Sequence, residues 1–201
     1  PANWTAFDGE GWGSVVLDGV RISATPDIDR PGIYDELPIA APDEFHIVML
    51  HGQIVRTGAG GGERIPLRLL QNRGIDYLAL GHEHAYRCEA LDTRGQWAYA
   101  GCLEGRGFDE CGEKGYILLD TDAPLDARVT FCPVAKRTLH LVEVDVSICE
   151  TAGEIKACIQ EAVEHLTCDD MVKVVLTGAV SPDLTYDAVY LGKLLGERFY
   201  F

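Results

Sequence analysis

The succession of apolar and polar positions divides the chain into short strands separated by turns. Residues 14–24 read as a hairpin: Val15, Val16 and Leu17 lead into Asp18-Gly19, and Val20 and Ile22 lead out. Asp-Gly between two apolar runs favours a two-residue turn, because both turn positions need positive φ. A proline-rich acidic stretch, 26–42, reads as an irregular connection. Phe45-His46-Ile47-Val48-Met49-Leu50 is a near-continuous apolar run, the pattern of a strand buried on both faces, and it stops at His51-Gly52. Residues 58–62 form a glycine-rich loop, and 65–73 read as a helix with Leu69 and Leu70 available to face a sheet. The run Ile75-Asp76-Tyr77-Leu78-Ala79-Leu80 repeats the buried-strand pattern and stops at Gly81-His82-Glu83-His84. Strand, helix, strand within ~35 residues is the unit of a parallel sheet. Open α/β sheets bind ligands beyond the carboxyl ends of their strands, the edge on which both histidine clusters fall.

Further strands are expected at 87–91, 97–101, 116–120 and 127–134. The pattern changes near Lys136. A strand at 139–146 precedes Thr151-Ala152-Gly153-Glu154, a capping box in which the threonine hydroxyl and the glutamate each satisfy a free backbone N–H. Ile155, Cys158, Ile159, Ala162, Val163 and Leu166 then recur at helical spacing. A strand at 171–176 and a helix at 185–199 complete a small α+β module. Two modules are therefore expected, 1–135 and 136–201, which suits a chain of 201 residues at ~150 per domain.

Composition narrows the class. The chain is 47% hydrophobic and 24% charged, as in ordinary globular domains, and lacks any apolar stretch near the ~18 residues of a membrane span. The net charge of −15 excludes a generally basic nucleic-acid coat, since phosphate affinity comes mostly from Lys and Arg. Seven cysteines without a C-x-x-C pair or a signal peptide point to reduced, mostly buried thiols in a cytoplasm.

The chemistry lies with the histidines. Two imidazoles two residues apart in extended backbone project from the same side, and His51 ends the neighbouring strand. His51, His82 and His84 thus form a plausible cluster for Zn, Mn or Fe. The H-E-x-x-H motif is absent because Tyr86 stands four after His82, and the glycine run lacks the Gly-Lys-Ser/Thr of a P-loop. His46, His140 and His165 have no such context and read as structural.

Leu50-His51-Gly52 followed by Leu80-Gly81-His82-Glu83-His84 resembles the last two motifs of the calcineurin-like metallophosphoesterases. Residues 100–110, with Gly112-Glu113-Lys114-Gly115 after them, resemble the segment after the histidine motif in the SbcD and YhaO branch of DNA repair exonucleases. The module after 135 is similar to that branch's capping domain, so the resemblance spans roughly residues 14–200. It implies an α/β fold: part of a β-sandwich flanked by helices, followed by a small α+β capping domain. It also implies two divalent ions, usually manganese, that activate a water and clamp a phosphodiester for in-line displacement. His51 and His82 would ligate one ion and His84 the other, with Arg56, Arg64 and Arg106 as candidate phosphate contacts. DNA as substrate, an ATPase partner of the SbcC type and a homodimer follow from the resemblance alone.

The chain departs from the family in one respect. It contains no Asp-x-His, no Gly-Asp, and no asparagine followed by histidine. These are the motifs expected to carry the remaining ligands, the bridging aspartate and the proton donor. No catalytic residue beyond the metal ligands is therefore expected, and three histidines are too few to fill two sites. The expectation is the C-terminal part of a metal-dependent DNA exonuclease, inactive by itself. Two other readings stand beside it: a metallophosphoesterase for a small phosphodiester such as a cyclic nucleotide, and a non-catalytic binding or assembly module that keeps the fold.

Overall fold

The computed structural model describes residues 6, 7, 9–56 and 62–200. The chain is a strand-rich α/β protein that divides into two compact units, Pro1–Cys102 with Gly115–Cys132, and Leu103–Lys114 with Pro133–Phe201. The segment Leu103–Lys114, read from the sequence as part of the first module, thus packs with the second.

The first unit is built on a six-stranded mixed sheet. In chain order its strands are β1 (Gly13–Leu17), β2 (Val20–Ala24), β3 (Phe45–His51), β4 (Gln53–Val55), β5 (Arg64–Pro66), β6 (Tyr77–Gly81), β7 (Arg87–Ala90), β8 (Gln96–Tyr99), β9 (Gly115–Leu119) and β10 (Val129–Pro133). The sheet order is β1-β2-β3-β6-β8-β7, with β4–β5 and β9–β10 as separate pairs. Strands β2, β3, β6 and β8 run parallel, and β1 and β7 close the edges antiparallel. The β1–β2 hairpin turns at Asp18 and Gly19, whose φ values of 46° and 82° fit the two-residue turn.

Residues 65–73 do not form the expected helix. Pro66 lacks an N–H and biases Ile65 toward extended backbone, so β5 ends there and a single 3-10 turn, Leu67–Leu69, follows. Leu70 is fully buried while Leu69 is exposed. The glycine loop falls largely on 57–61, outside the described residues. Among the described residues of this unit no α-helix flanks the sheet, and both connections are irregular or 3-10.

Nor is β3 buried on both faces. His46, Val48 and Leu50 point into a core with Leu78, Leu80, Trp97 and Tyr99, covered by Ile28, Ile33, Ile65 and Leu70 from the two connections. Both connections therefore cover the same face. On the other face Arg128 stacks over the Phe45 ring at 4.7 Å, but exposure rises along the strand to 44% at Met49. An apolar hollow of about 440 Å³ opens there, reaching from Phe7 and Met49 to His51 and Gly81.

In the second unit β11 (Leu139–Asp145) pairs in parallel with β12 (Met171–Thr177), joined through α1 (Ala152–Ala162). The capping box forms as expected, with Glu154 N donating to the Thr151 hydroxyl at 3.2 Å and Thr151 N donating to the Glu154 carboxylate at 3.2 Å. The last helix, α2 (Ala188–Gly196), is shorter than expected because Asp187 caps it, accepting from Val189 N and Tyr190 N. Val144, Val146, Ile155, Ile159 and Leu191 form the centre of the core. Glu104 accepts from Lys136 N at 2.9 Å, and Gly112 N donates to Leu139 O at 3.1 Å, which ties Leu103–Lys114 to this unit.

Candidate metal centre

The parallel register sets His51 directly opposite Gly81. Chain direction does the rest: both strands end at the same edge, and each delivers its histidine there. The His51 and His82 rings lie 5.6 Å apart, near perpendicular at 86°. Glycine at 81 makes this approach feasible, because a Cβ there would sit 2.8 Å from His51 Nδ1.

His82 does not continue the strand. Its φ is 113°, a region that L residues other than glycine rarely enter, at a cost of order 1–3 kcal/mol. Such strain survives only where the surroundings impose it, and it clusters at functional sites. The bend brings His82 Nδ1 to 3.6 Å from a Glu63 carboxylate oxygen. The chain bends again at His84, so the two histidines do not share the extended backbone expected from their spacing. His84 instead meets Cys102: its ring nitrogen and the Cys102 sulfur come within 4.8 Å, and the thiol donates to His84 O at 3.6 Å. All three histidines are exposed.

The turn after His51 is held from a distance. Tyr99 donates its hydroxyl to Gly52 O at 2.7 Å and accepts from Ile54 N at 2.8 Å. Burial pushes the Tyr99 phenol above its ordinary range, so it stays protonated as a donor. Gly52 N donates to Gly81 O at 3.1 Å, and Gln53 N to Glu63 O at 2.7 Å. With φ at 153° and Glu63 O 2.5 Å from where a Cβ would stand, position 52 admits only glycine.

The arginines are scattered. Arg56 is exposed and pairs with Glu89, which also accepts from Arg87 at 2.6 Å. Arg64 is exposed on β5. Arg106 belongs to the second unit and lies 3.3 Å from Glu110. Glu63 and Cys102 were not expected. Glu63 had one weak signal, being the lone acid among the four arginines of residues 56–73.

The donor set suits a borderline divalent cation: imidazole nitrogens with a carboxylate beside them, none of them buried. Six of the seven cysteines are partly or fully exposed: Cys88, Cys102, Cys132 and Cys158 partly, Cys111 and Cys168 fully, leaving Cys149 buried. The expectation of mostly buried thiols is corrected accordingly. No protein-family model matches the chain, and no curated protein sequence matches it. No helix among the described residues is long and apolar enough to cross a membrane.

Proposed function

We propose that the chain is the C-terminal portion of a two-metal phosphodiesterase acting on DNA, a metallophosphoesterase of the SbcD type with its capping module. The observation that carries this reading is the meeting of His51 and His82 at the carboxyl ends of adjacent parallel strands, with strained backbone at His82 and Glu63 beside it. His51 and His82 hold one divalent ion, manganese by resemblance, and His84 contributes to the second. Bound ions of this kind supply an activated water and neutralise phosphate charge. The chain's own part is to fix the imidazoles: Tyr99 and Gly52 set the turn behind His51, and Gly81 makes room for its ring. Arg64 is exposed for phosphate contact, whereas Arg56 must first leave Glu89.

The remaining ligands and the proton donor come from a segment that packs on the uncovered apolar hollow next to His51. By itself the chain is therefore inactive. An SbcC-type ATPase and a second copy of the chain are the partners this reading implies, and the cytoplasm is its compartment.

Manganese binding to the 201-residue chain, read from loss of the free-ion electron paramagnetic resonance signal, tests the centre. Binding that His82→Ala abolishes is expected, and an unchanged signal in the unsubstituted chain overturns the proposal. Incubation with linear duplex DNA and with a cyclic nucleotide in manganese should release no product from either. Turnover that His84→Ala removes would overturn the claim of inactivity, and the substrate consumed would say which phosphodiester the site prefers.

A further inference from the structure

A second chemical site lies wholly inside the second unit. The Cys149 and Cys158 sulfurs are 3.7 Å apart. Cys149 sits in the turn between β11 and α1, with its side chain in the core beside Val146, Ile155 and Ile159. Cys158 lies on α1 and packs against the same cluster. The turn is fixed on both sides of Cys149. Upstream, Asp145 accepts from Ser147 N at 2.9 Å and from its hydroxyl at 2.6 Å, and Cys149 N donates to Val146 O at 3.0 Å. Downstream, the Glu154 carboxylate accepts from Glu150 N at 2.6 Å and from Thr151 N at 3.2 Å. The two thiols therefore face each other from anchored backbone. Cys102, Cys111 and Cys132 instead donate to backbone carbonyls.

The geometry points to a thiol–disulfide site: we infer that Cys149 and Cys158 form a reversible intramolecular disulfide on exposure to a low-molecular-weight disulfide such as oxidised glutathione. The sulfurs must close to the ~2.05 Å of a disulfide, a movement within reach of side-chain rotation when the backbone already presents them. Reagent access comes from a surface hollow of about 660 Å³ lined by Ser147, Ile148, Cys149, Glu150 and Ser181.

The chemistry balances without any further reactant. One cysteine thiolate attacks a sulfur of oxidised glutathione, forming a mixed disulfide and expelling one glutathione thiolate, which takes up a proton. The other cysteine thiolate attacks the protein sulfur of the mixed disulfide and expels the second glutathione thiolate. Two cysteine thiols are oxidised, one small disulfide is reduced to two thiols, and the two protons pass to the glutathione. Burial and the neighbouring thiol push Cys149 up from its ordinary range, so the exchange quickens as pH rises above neutral.

Peptide mapping tests this directly, because Lys156 lies between the two cysteines. The folded chain is equilibrated in reduced and oxidised glutathione, quenched in acid, alkylated, denatured and digested with trypsin without reduction. Peptides 138–156 and 157–173 should then travel as one linked species, separable by reductant. Peptide 157–173 also carries Cys168, so the link must persist in Cys168→Ser and vanish in Cys158→Ser, which should trap glutathione on Cys149 instead. The inference fails if the linked species is missing at an excess of oxidised glutathione. It fails equally if Cys168→Ser removes the link, or if the link joins two chains.

Discussion

His46 and His51 stand on the same strand, five residues apart, and have opposite fates. At the amino end His46 is fully buried, and its Nε2 lies 3.0 Å from the Ser23 hydroxyl. Its backbone N–H donates to Asp76 at 2.9 Å, and Asp76 N donates back to His46 O at 2.9 Å. Arg94 closes on the same carboxylate at 2.7 Å, while Arg128 donates to Asp76 O at 3.3 Å. His46 Nδ1 approaches the Gly74 backbone without a hydrogen bond of ordinary geometry. At the carboxyl end His51 is exposed and faces His82 across 5.6 Å. The residue type is the same, but one end uses its polar groups to hold strands together and the other presents them outward. Burial and neighbours, rather than the presence of histidine in an apolar strand, decide which role it takes.

That contrast breaks most sharply at Asp76. Asp76→Ala leaves the buried His46 N–H and the half-exposed Arg94 guanidinium without their acceptor and takes from Arg128 a carboxylate 3.9 Å away, which together should cost about 3 kcal/mol. Urea unfolding measures this, and a loss under 1 kcal/mol would mean that the amino end does not hold the sheet. His46→Ala comes next, at about 2 kcal/mol for the cavity and the lost bond to Ser23, whose hydroxyl keeps the Ser14 hydroxyl at 3.0 Å.

The pH dependence of stability sharpens the same point. Burial, helped by Arg21 and Arg94, holds His46 below its ordinary value of 6.5, against the opposing pull of Asp76. The unfolded chain therefore binds this proton more readily than the folded one, so stability is full above pH 6.5 and falls as the pH drops below it. His46→Ala should remove that part of the slope between pH 6.5 and the carboxylate range, as followed by thermal unfolding.

The smallest effects on stability belong to the other end. His51→Ala should change unfolding by under ~0.5 kcal/mol, as exposed positions do, yet abolish manganese binding. His82→Gly relieves the positive φ, leaving stability unchanged or raised by up to ~1 kcal/mol, while binding is lost. A large destabilisation by either substitution would erase the distinction between the two ends.

Much of this was legible in the sequence where local chemistry decided the outcome. Asp18-Gly19 specified its hairpin, Thr151 and Glu154 their cap, and the two apolar runs ending in histidine their parallel strands. Pro66 was the readable signal against a helix at 65–73, and the apolar pair Leu69 and Leu70 masked it. An apolar run reports that both faces of β3 can be buried, not that this chain supplies both covers, which is why Met49 stands exposed. Glu63 and Cys102 reach the histidines only through the return of the crossover and the bend at His82. Nothing in the spacing of residues 51, 63, 82, 84 and 102 encodes that proximity.

The Tyr99 hydroxyl bridges to Gly52 and Ile54 across 47 and 45 residues. It comes from β8, which reaches β3 only through β6, and each of those parallel pairings first requires a long loop to close. Non-local pairings of this kind dominate slow folding. The turn that aims His51 is thus set after its strand has formed, and refolding kinetics should show strand signal rising well before manganese affinity does.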